Sequence, residues 1–336
     1  MVMTIKDIAR LSGCGVATVS RVLNGHPDVS EKTRQKVMAV VKEQGFQPNN
    51  NAKHLKQQAS SSIAILVKGT MNLLFADLVE KLQALLQDAG ETAAVYYLDE
   101  DANEVDFAQQ LVRERRPRGF LFLGGNLELF KAGFAPITVP SVMLTNTAEK
   151  LGFENLSSFT TDDTLAARRV MELLAEQGHR CIGILGGDWA CSQISYRRLV
   201  GCQEACKALN IPLDMDSQCE LCRYSMPDAY AATRRLMKRR KDLTAIFALS
   251  DVMALGAIRA LRDLGKRVPE DISVVGYDGI VTGQYFIPKL TTVQQDTQRL
   301  AKRGVETLLR RIDSDLPPIH ELVPFQLISG ESVAQL

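Results

Sequence analysis

Long hydrophobic runs are missing from this chain. No segment approaches the ~18 to 20 consecutive apolar residues that a spanning helix needs. The stretch from Met1 to Asn24 contains no apolar core of the kind that marks an export signal. Membrane insertion and secretion are therefore not expected, and the chain reads as cytoplasmic. Histidine is sparse: His26, His54, His179 and His320 lie too far apart in sequence to suggest a ligand set. Also absent are a Gly-x-Gly-x-x-Gly turn after a strand, a phosphate loop with its Gly-Lys-Ser/Thr ending, and His-Glu-x-x-His. Ile184-Leu-Gly-Gly187 reads only as a strand-end turn. No catalytic residue and no cofactor are implied, so an enzyme is not expected.

Seven cysteines need separate treatment: Cys14, Cys181, Cys191, Cys202, Cys206, Cys219 and Cys222. Cys202-x₃-Cys206 with Cys219-x₂-Cys222 could mimic a four-thiolate zinc site. Neither pair sits in a knuckle-like turn, and Cys202 with Cys206 fall on one stripe of a helix, where thiols behave as small buried apolar groups. No metal is expected. A redox pair at Cys219 and Cys222 lacks the helix-start setting that lowers a thiol pKa.

What is present begins at the amino terminus. Thr4 to Asn24 reads as two short helices joined by a tight turn, with Ala9 small where the helices touch, Gly13 free to take φ > 0, and Val19 turned into a mini-core. The second helix, about Val16 to Leu23, directs Val16, Ala17, Ser20 and Arg21 outward, in reach of base edges or phosphates in a major groove. Ser30 caps a third helix whose apolar stripe is Val37, Met38, Val40 and Val41. A plain αα-hairpin is the competing account. Charge separates the two: residues 1 to 58 hold nine Lys and Arg against four acids, or +5, and with +1 for the whole chain the remainder carries −4. Segregation of this kind concentrates attraction for phosphate at one end.

These residues resemble the lactose/galactose repressor (LacI/GalR) family, and the resemblance runs the full length. It is carried by Thr4-Ile-x-Asp-Ile-Ala, Val16-Ala-Thr-Val-Ser-Arg-Val-Leu-Asn24, Val29-Ser-x-x-Thr-Arg34, and Gly45-Phe-x-Pro-Asn49 leading into Ala52-Lys-His-Leu55. The resemblance implies DNA contacts at Thr4, Val16, Ala17, Thr18, Ser20, Arg21, Asn24, Lys53 and Leu55. It also implies a hinge helix over about 49–57 whose Leu55 wedges into a central base step through the minor groove. Lys53 stands where the family usually has arginine, which loses bidentate geometry. Gly15 replaces the usual serine at little cost to the helix start.

Residues 56 to 62 are small, polar and aperiodic, as in a linker. Beyond them, apolar runs at 63–67, 94–97, 120–123, 142–144, 182–185, 245–249 and 273–276 alternate with amphipathic helical stretches at 78–89, 164–177, 199–209, 229–241 and 252–264. That alternation predicts a parallel, doubly wound α/β body. The expected organisation is residues 1–58 as a three-helix helix-turn-helix domain with its hinge helix, then 59–336 as an effector-binding and dimerisation domain. The resemblance implies a periplasmic-binding-protein-like body. One lobe is expected at about 62–160 and 292–322, the other at about 161–291 and 323–336.

Ligands of such sheets bind beyond the carboxyl ends of the strands. By resemblance, Arg198 and Asp278 match a charged pair of effector contacts, and Tyr224 an aromatic that stacks on the ligand. Phe75 and Thr145 match further pocket positions; many sugar-binding members carry an acid where this chain has Thr145. Ser250 and Asp251, just after a strand, complete the set, with Asp251 equally suited to capping the next helix. The implied function is a repressor of carbohydrate-utilisation genes, binding a palindromic operator as a homodimer under control of a sugar-like effector. A purine- or other metabolite-responsive regulator is the alternative within the fold, and a cytoplasmic small-molecule-binding protein or enzyme lies outside it. The sequence from Ser329 to Leu336 shows no heptad pattern, so a dimer is expected rather than a tetramer.

Overall fold

The computed structural model describes residues 5–23, 29–43, 62–69, 72–189 and 192–336. Contacts divide the chain into two units, Met1–Ala59 and Ser60–Leu336, each described by itself. In the first, α1 (Ile5–Ser12), α2 (Val16–Leu23) and α3 (Glu31–Glu43) enclose a core of Ile8, Ala9, Val19, Val22 and Val37. Gly13 has φ +60 and the Cys14 amide returns to the Ala9 carbonyl at 3.1 Å, a left-handed exit from α1 that a side chain would strain. Ser30 caps α3 by accepting from the Thr33 amide at 3.3 Å. Met38 departs from the expected stripe, being 47% exposed. One residue turns a helix by about 100°, so Met38 faces away from the core that its neighbour Val37 enters.

The second unit contains two lobes. The first is built from β1 (Ile63–Lys68), α4 (Leu73–Asp88), β2 (Ala93–Leu98), α5 (Glu104–Glu114), β3 (Gly119–Leu123), α6 (Leu127–Gly133), β4 (Ser141–Leu144) and β5 (Leu156–Thr161). The second holds α7 (Asp163–Glu176), β6 (Ile182–Gly186), α8 (Gln193–Ala208), α9 (Met215–Gln218), β7 (Cys219–Leu221) and α10 (Met226–Arg239), then β8 (Ala245–Ala248), α11 (Asp251–Asp263), β9 (Ser273–Asp278), α12 (Val281–Tyr285) and β10 (Thr291–Gln295). The chain then returns to the first lobe with α13 (Thr297–Asp313) and β11 (His320–Val323) and ends in the second with β12 (Phe325–Ile328).

Strand order is β11-β5-β4-β3-β1-β2 in one sheet and β12-β10-β9-β8-β6-β7 in the other, parallel throughout except for β12. Stripped of the last strand, both sheets follow the same 2-1-3-4-5 doubly wound order. Each is covered by helices on both faces, which is why its central strands are buried and read as unbroken apolar runs.

The chain crosses between lobes three times, at Asp162, Asp296 and Pro324. The first two crossings share a conformation (φ −73, ψ 88 and φ −79, ψ 79), and each aspartate caps the helix that follows. The return expected at 292 falls instead at Asp296. Strand β10 pairs with β9 in the second sheet, Val293 opposite Tyr277, so residues 291–295 belong to the second lobe. Likewise β5 keeps Thr161, and β11 keeps Val323, in the first sheet.

Helix pairs in the second lobe touch through glycine. A Cβ on Gly201 of α8 would lie 2.2 Å from the Thr164 carbonyl oxygen of α7, and one on Gly256 of α11 would lie 2.4 Å from the Met226 carbonyl oxygen of α10. Alanine gains about 1 kcal/mol of helix propensity over glycine, yet overpacking costs ~1 to 3 kcal/mol. The neighbour is backbone and cannot swing aside, so the cost falls at the upper end, about 3 kcal/mol, and Gly201→Ala should lower stability by about 2 kcal/mol net in urea unfolding. A variant as stable as the parent would refute the close approach.

Candidate functional site

The carboxyl ends of both sheets face a cavity of about 720 Å³ between the lobes. Such a volume is ordinary for a small-molecule site. Of the seven expected contacts, Phe75, Thr145, Arg198, Tyr224 and Asp278 line it; Ser250 and Asp251 do not.

Arg198 projects from the second turn of α8 and is buried. Its Nε donates to Asp163 Oδ1 at 2.8 Å, its Nη1 donates to the Leu249 carbonyl at 2.5 Å, and its guanidinium lies 3.5 Å from the Tyr277 ring centroid. Asp278 is more distant, with Oδ1 3.9 Å from Nη1. The tight partner is thus Asp163, which also accepts from the Tyr277 hydroxyl at 2.9 Å. Burial opposes the charge on Arg198, but the carboxylates of Asp163 and Asp278 outweigh it and hold the guanidinium above its ordinary pKa.

Asp278 ends β9 with φ +123, a conformation rarely adopted by side-chain-bearing residues. Its Oδ1 accepts from Gln295 Nε2 at 2.9 Å and its Oδ2 from Ser250 Oγ at 3.0 Å. Burial pushes its pKa up to about 6, against the pull of Arg198 and these two donors. Gln295 in turn accepts from Thr161 Oγ1 at 3.0 Å, joining the last residues of β5 and β10.

Thr145 follows β4, also in a left-handed conformation (φ +68), and its buried Oγ1 has no hydrogen-bond partner within the described residues. A β-branched residue held there with an orphaned hydroxyl is strained and under-satisfied, a combination found where a ligand completes the site. Tyr224 bonds Ser195 through its hydroxyl at 2.7 Å, and burial raises its pKa to about 12. A Cβ on Gly187 would meet the Tyr224 ring at 2.7 Å, so that strand-end turn makes room for the aromatic wall. Phe75 packs in the lobe core while its edge approaches Gly124 on the wall.

Ser250 acts through Asp278 rather than on the cavity. Asp251 neither lines the cavity nor caps a helix: it is fully buried, accepting from the Ile280 amide at 2.8 Å and Thr292 Oγ1 at 2.6 Å, and so braces the turn after β9. Sequence reasoning did not nominate Asp163, Gln295 or Tyr277. Nor did it find Lys68, whose Nζ donates to the buried Glu104 at 2.5 Å, or Arg223, which reaches Asp99 at 3.4 Å, Glu100 at 3.9 Å, and Asp101. The only signal for these was their position at or just past the carboxyl ends of strands, or at a helix start.

In the helix-turn-helix unit, Arg21 is exposed on α2 and Thr18 is half-buried. Val16, Ala17 and Ser20 lie on the same helix. Thr4, Asn24, Lys53, Leu55 and the hinge helix expected at about 49–57 fall outside the described residues. Cys202, Cys206 and Cys219 are buried, and burial pushes the Cys206 and Cys219 thiols up to about 11 and about 12. Among the described residues no group of three or more His, Cys, Asp or Glu is placed to hold a metal, and no helix is long and apolar enough to cross a membrane.

Burial raises Asp251 to about 7 from an ordinary 3.8, aided by the neighbouring Asp278 carboxylate. The folded state therefore keeps a proton that the unfolded state releases, so the stability tied to Asp251 is full below about pH 4 and lost as pH rises through about 7. Asp251→Asn cannot titrate. Relative to that variant, the parent should lose ~1 to 4 kcal/mol between pH 4.5 and 8 in urea unfolding; parallel pH profiles would refute the assignment.

Residues 4–49 match the family model of bacterial regulatory proteins of the lacI family, and residues 171–333 match a periplasmic binding protein-like domain. The HTH-type transcriptional regulator MalR of Clostridium butyricum is 39% identical over 334 residues, covering 98% of this chain and 99% of its own. Among solved structures, the transcriptional regulator CelR–cellobiose complex aligns with TM-score 0.71 and 27% identity over 98% of this chain and 99% of its own. The lac repressor dimer bound to operator and the anti-inducer ONPF aligns with TM-score 0.71 and 25% identity over 99% of this chain and all of its own. The relatives are regulators of transcription, not enzymes. With a helix-turn-helix unit, a two-lobed α/β body and near-complete coverage by a relative of this identity, the chain belongs to the lacI family of bacterial transcriptional regulators.

Proposed function

We propose that this regulator represses carbohydrate-utilisation genes as a homodimer on a palindromic operator, and that a sugar-like effector in the interlobe cavity sets its DNA affinity. The observation that carries the reading is the place of the cavity floor. Asp163 follows the first lobe crossing and Gln295 precedes the second, and both are hydrogen-bonded to the pair that would meet a ligand, Arg198 and Asp278. A ligand held there acts on the crossings themselves. A fork donor and a carboxylate suit adjacent hydroxyls of a polyol, and Thr145 Oγ1 supplies an unclaimed donor and acceptor.

The groups that would face DNA are Thr4, Val16, Ala17, Thr18, Ser20, Arg21 and Asn24, with Lys53 and Leu55 in the hinge. Dimerisation is supported by Val281, Tyr285 and Ile287, apolar yet 66%, 84% and 86% exposed on one short segment of the second lobe. A homodimer carries two reading heads for the two half-sites of a palindrome. Because an effector shifts a two-state equilibrium only by its differential affinity, the coupling needed is ~1 to 3 kcal/mol.

Two measurements test the reading. Arg21→Ala should weaken operator binding by ~1 to 3 kcal/mol and relax preference at one base pair per half-site, read by fluorescence anisotropy on matched and mutated operators. Unchanged affinity for operator and random DNA would remove Arg21 from the interface. Deleting residues 1–58 should leave a folded dimer whose melting temperature still rises with its effector, by the equivalent of ~2.7 kcal/mol at a hundredfold excess over Kd. Retained operator binding by the truncated chain would contradict the division of labour.

A further inference from the structure

The charges on the cavity wall are unevenly balanced. Three cations line it, and each already holds a carboxylate. Lys68 is held by Glu104, which is 2% exposed; Arg198 by Asp163, 3% exposed; Arg223 by Asp99, Glu100 and Asp101. Six carboxylates line the same wall: those three, Asp278, Asp188 and Asp228.

The opposing effect comes from helix starts. Four helices, α4, α6, α8 and α10, begin on the wall. At about half a positive charge each, their dipoles offset about two of the three excess negative charges. Their leading amides are also partly used, because Asn72, Asn126, Ser192 and Ser225 accept from Leu74, Glu128, Ser195 and Asp228. The balance stays negative. A phosphate dianion entering this cavity would meet, among the described lining residues, only cations whose charge a carboxylate already balances. An uncharged polyol meets no such barrier.

Resting on the effector reading above, we propose that the cleft selects uncharged polyhydroxylated ligands and rejects their phosphorylated forms. Lys68 tethered by Glu104, and Arg223 tethered by Asp99, Glu100 and Asp101, are the specificity-determining positions. Arg223 belongs to the second lobe and its three partners to the first, so the rim that filters charge also spans the cleft mouth.

The test uses the full chain with three probe pairs: glucose and glucose 6-phosphate, ribose and ribose 5-phosphate, cellobiose and cellobiose 6-phosphate. Thermal shift and titration calorimetry should show at least one neutral sugar binding, and its ester binding at least about tenfold more weakly. Two variants release the cations. Asp99→Asn/Glu100→Gln/Asp101→Asn frees Arg223 by changing only exposed or half-exposed side chains, at 69%, 39% and 80% exposure. Glu104→Gln frees Lys68. Either should narrow the gap between ester and neutral sugar by about tenfold, an effect that fades as salt is raised. An ester that binds the parent as tightly as its neutral counterpart overturns the charge filter and leaves the effector reading standing. A gap unchanged in both variants removes these positions from specificity. No binding by any of the six probes overturns the sugar-effector reading itself, and the filter with it.

Discussion

Burying a guanidinium in the second lobe's wall of the interlobe cavity is the constraint on which the cleft depends. Arg198 and Asp163 have side chains only 4% and 3% exposed, and moving two such charges out of water costs several kcal/mol each before their attraction offsets it. A pair of this kind adds little to stability over an apolar replacement, whereas removing one partner strands the other. What it does secure is geometry. Asp163 cannot leave Arg198 without abandoning the Tyr277 hydroxyl, and Asp278 cannot move without Gln295 and Ser250. Through Gln295 and Thr161 the network ends on the two strands that carry the chain across. The cavity floor and the first two lobe crossings form one polar network, its two hydrogen-bonded halves joined by the 3.9 Å contact of Arg198 with Asp278.

The shared 2-1-3-4-5 order of the two sheets places strain where the ligand space is. Thr145 follows the fourth strand of the first sheet, and Asp278 ends the fourth strand of the second, so they occupy equivalent places in the two lobes. Both have left-handed φ, +68 and +123, and both line the cavity. Backbone of this kind costs ~1 to 3 kcal/mol per residue and persists only where the surroundings over-determine it. Here the surroundings are the carboxyl ends of buried parallel strands, whose positions are fixed by helices on both faces. The scaffold that makes the fold stable is also what holds two unfavourable residues against a common space.

The legible part of the fold was mostly the part built from buried strands. All seven apolar runs are strands in the structure: six lie inside the sheets, where a parallel strand must be apolar on both faces, and the seventh, β2, is a half-buried edge strand. Strands β5 and β10, Leu-Ser-Ser-Phe-Thr-Thr and Thr-Thr-Val-Gln-Gln, carry no such signature although nearly every residue in them is buried. Their hydroxyls and amides are satisfied across elements, as Ser158 is by His320 and Thr161 by Gln295, and a linear pattern cannot display a partner more than a hundred residues away. The lobe return was misplaced for the same reason. In the site, Asp278 was visible because polar residues after apolar strands point to the ligand edge, and Thr145 through the family resemblance. Asp251 met the same criterion but turns behind the sheet to brace Ile280 and Thr292, so position after a strand identifies an end and not a direction. Asp163 and Gln295 were not visible because their importance comes from where the chain crosses.

Two polar links therefore join the lobes, and their energetics assign them different tasks. The rim link of Arg223 is half-exposed and faces water, so its ion pairs are screened and weakened by salt. It is too weak to hold the lobes in one arrangement, yet strong enough to bias which charges enter. The floor link is buried, multiply hydrogen-bonded and strained, so small displacements there change its energy steeply. An effector that hydrogen-bonds Asp278 and the unpartnered Thr145 hydroxyl changes the floor, not the rim, and only a change at the floor reaches the first two crossings. Selection at the mouth and coupling at the base are separable because the dielectric differs between them.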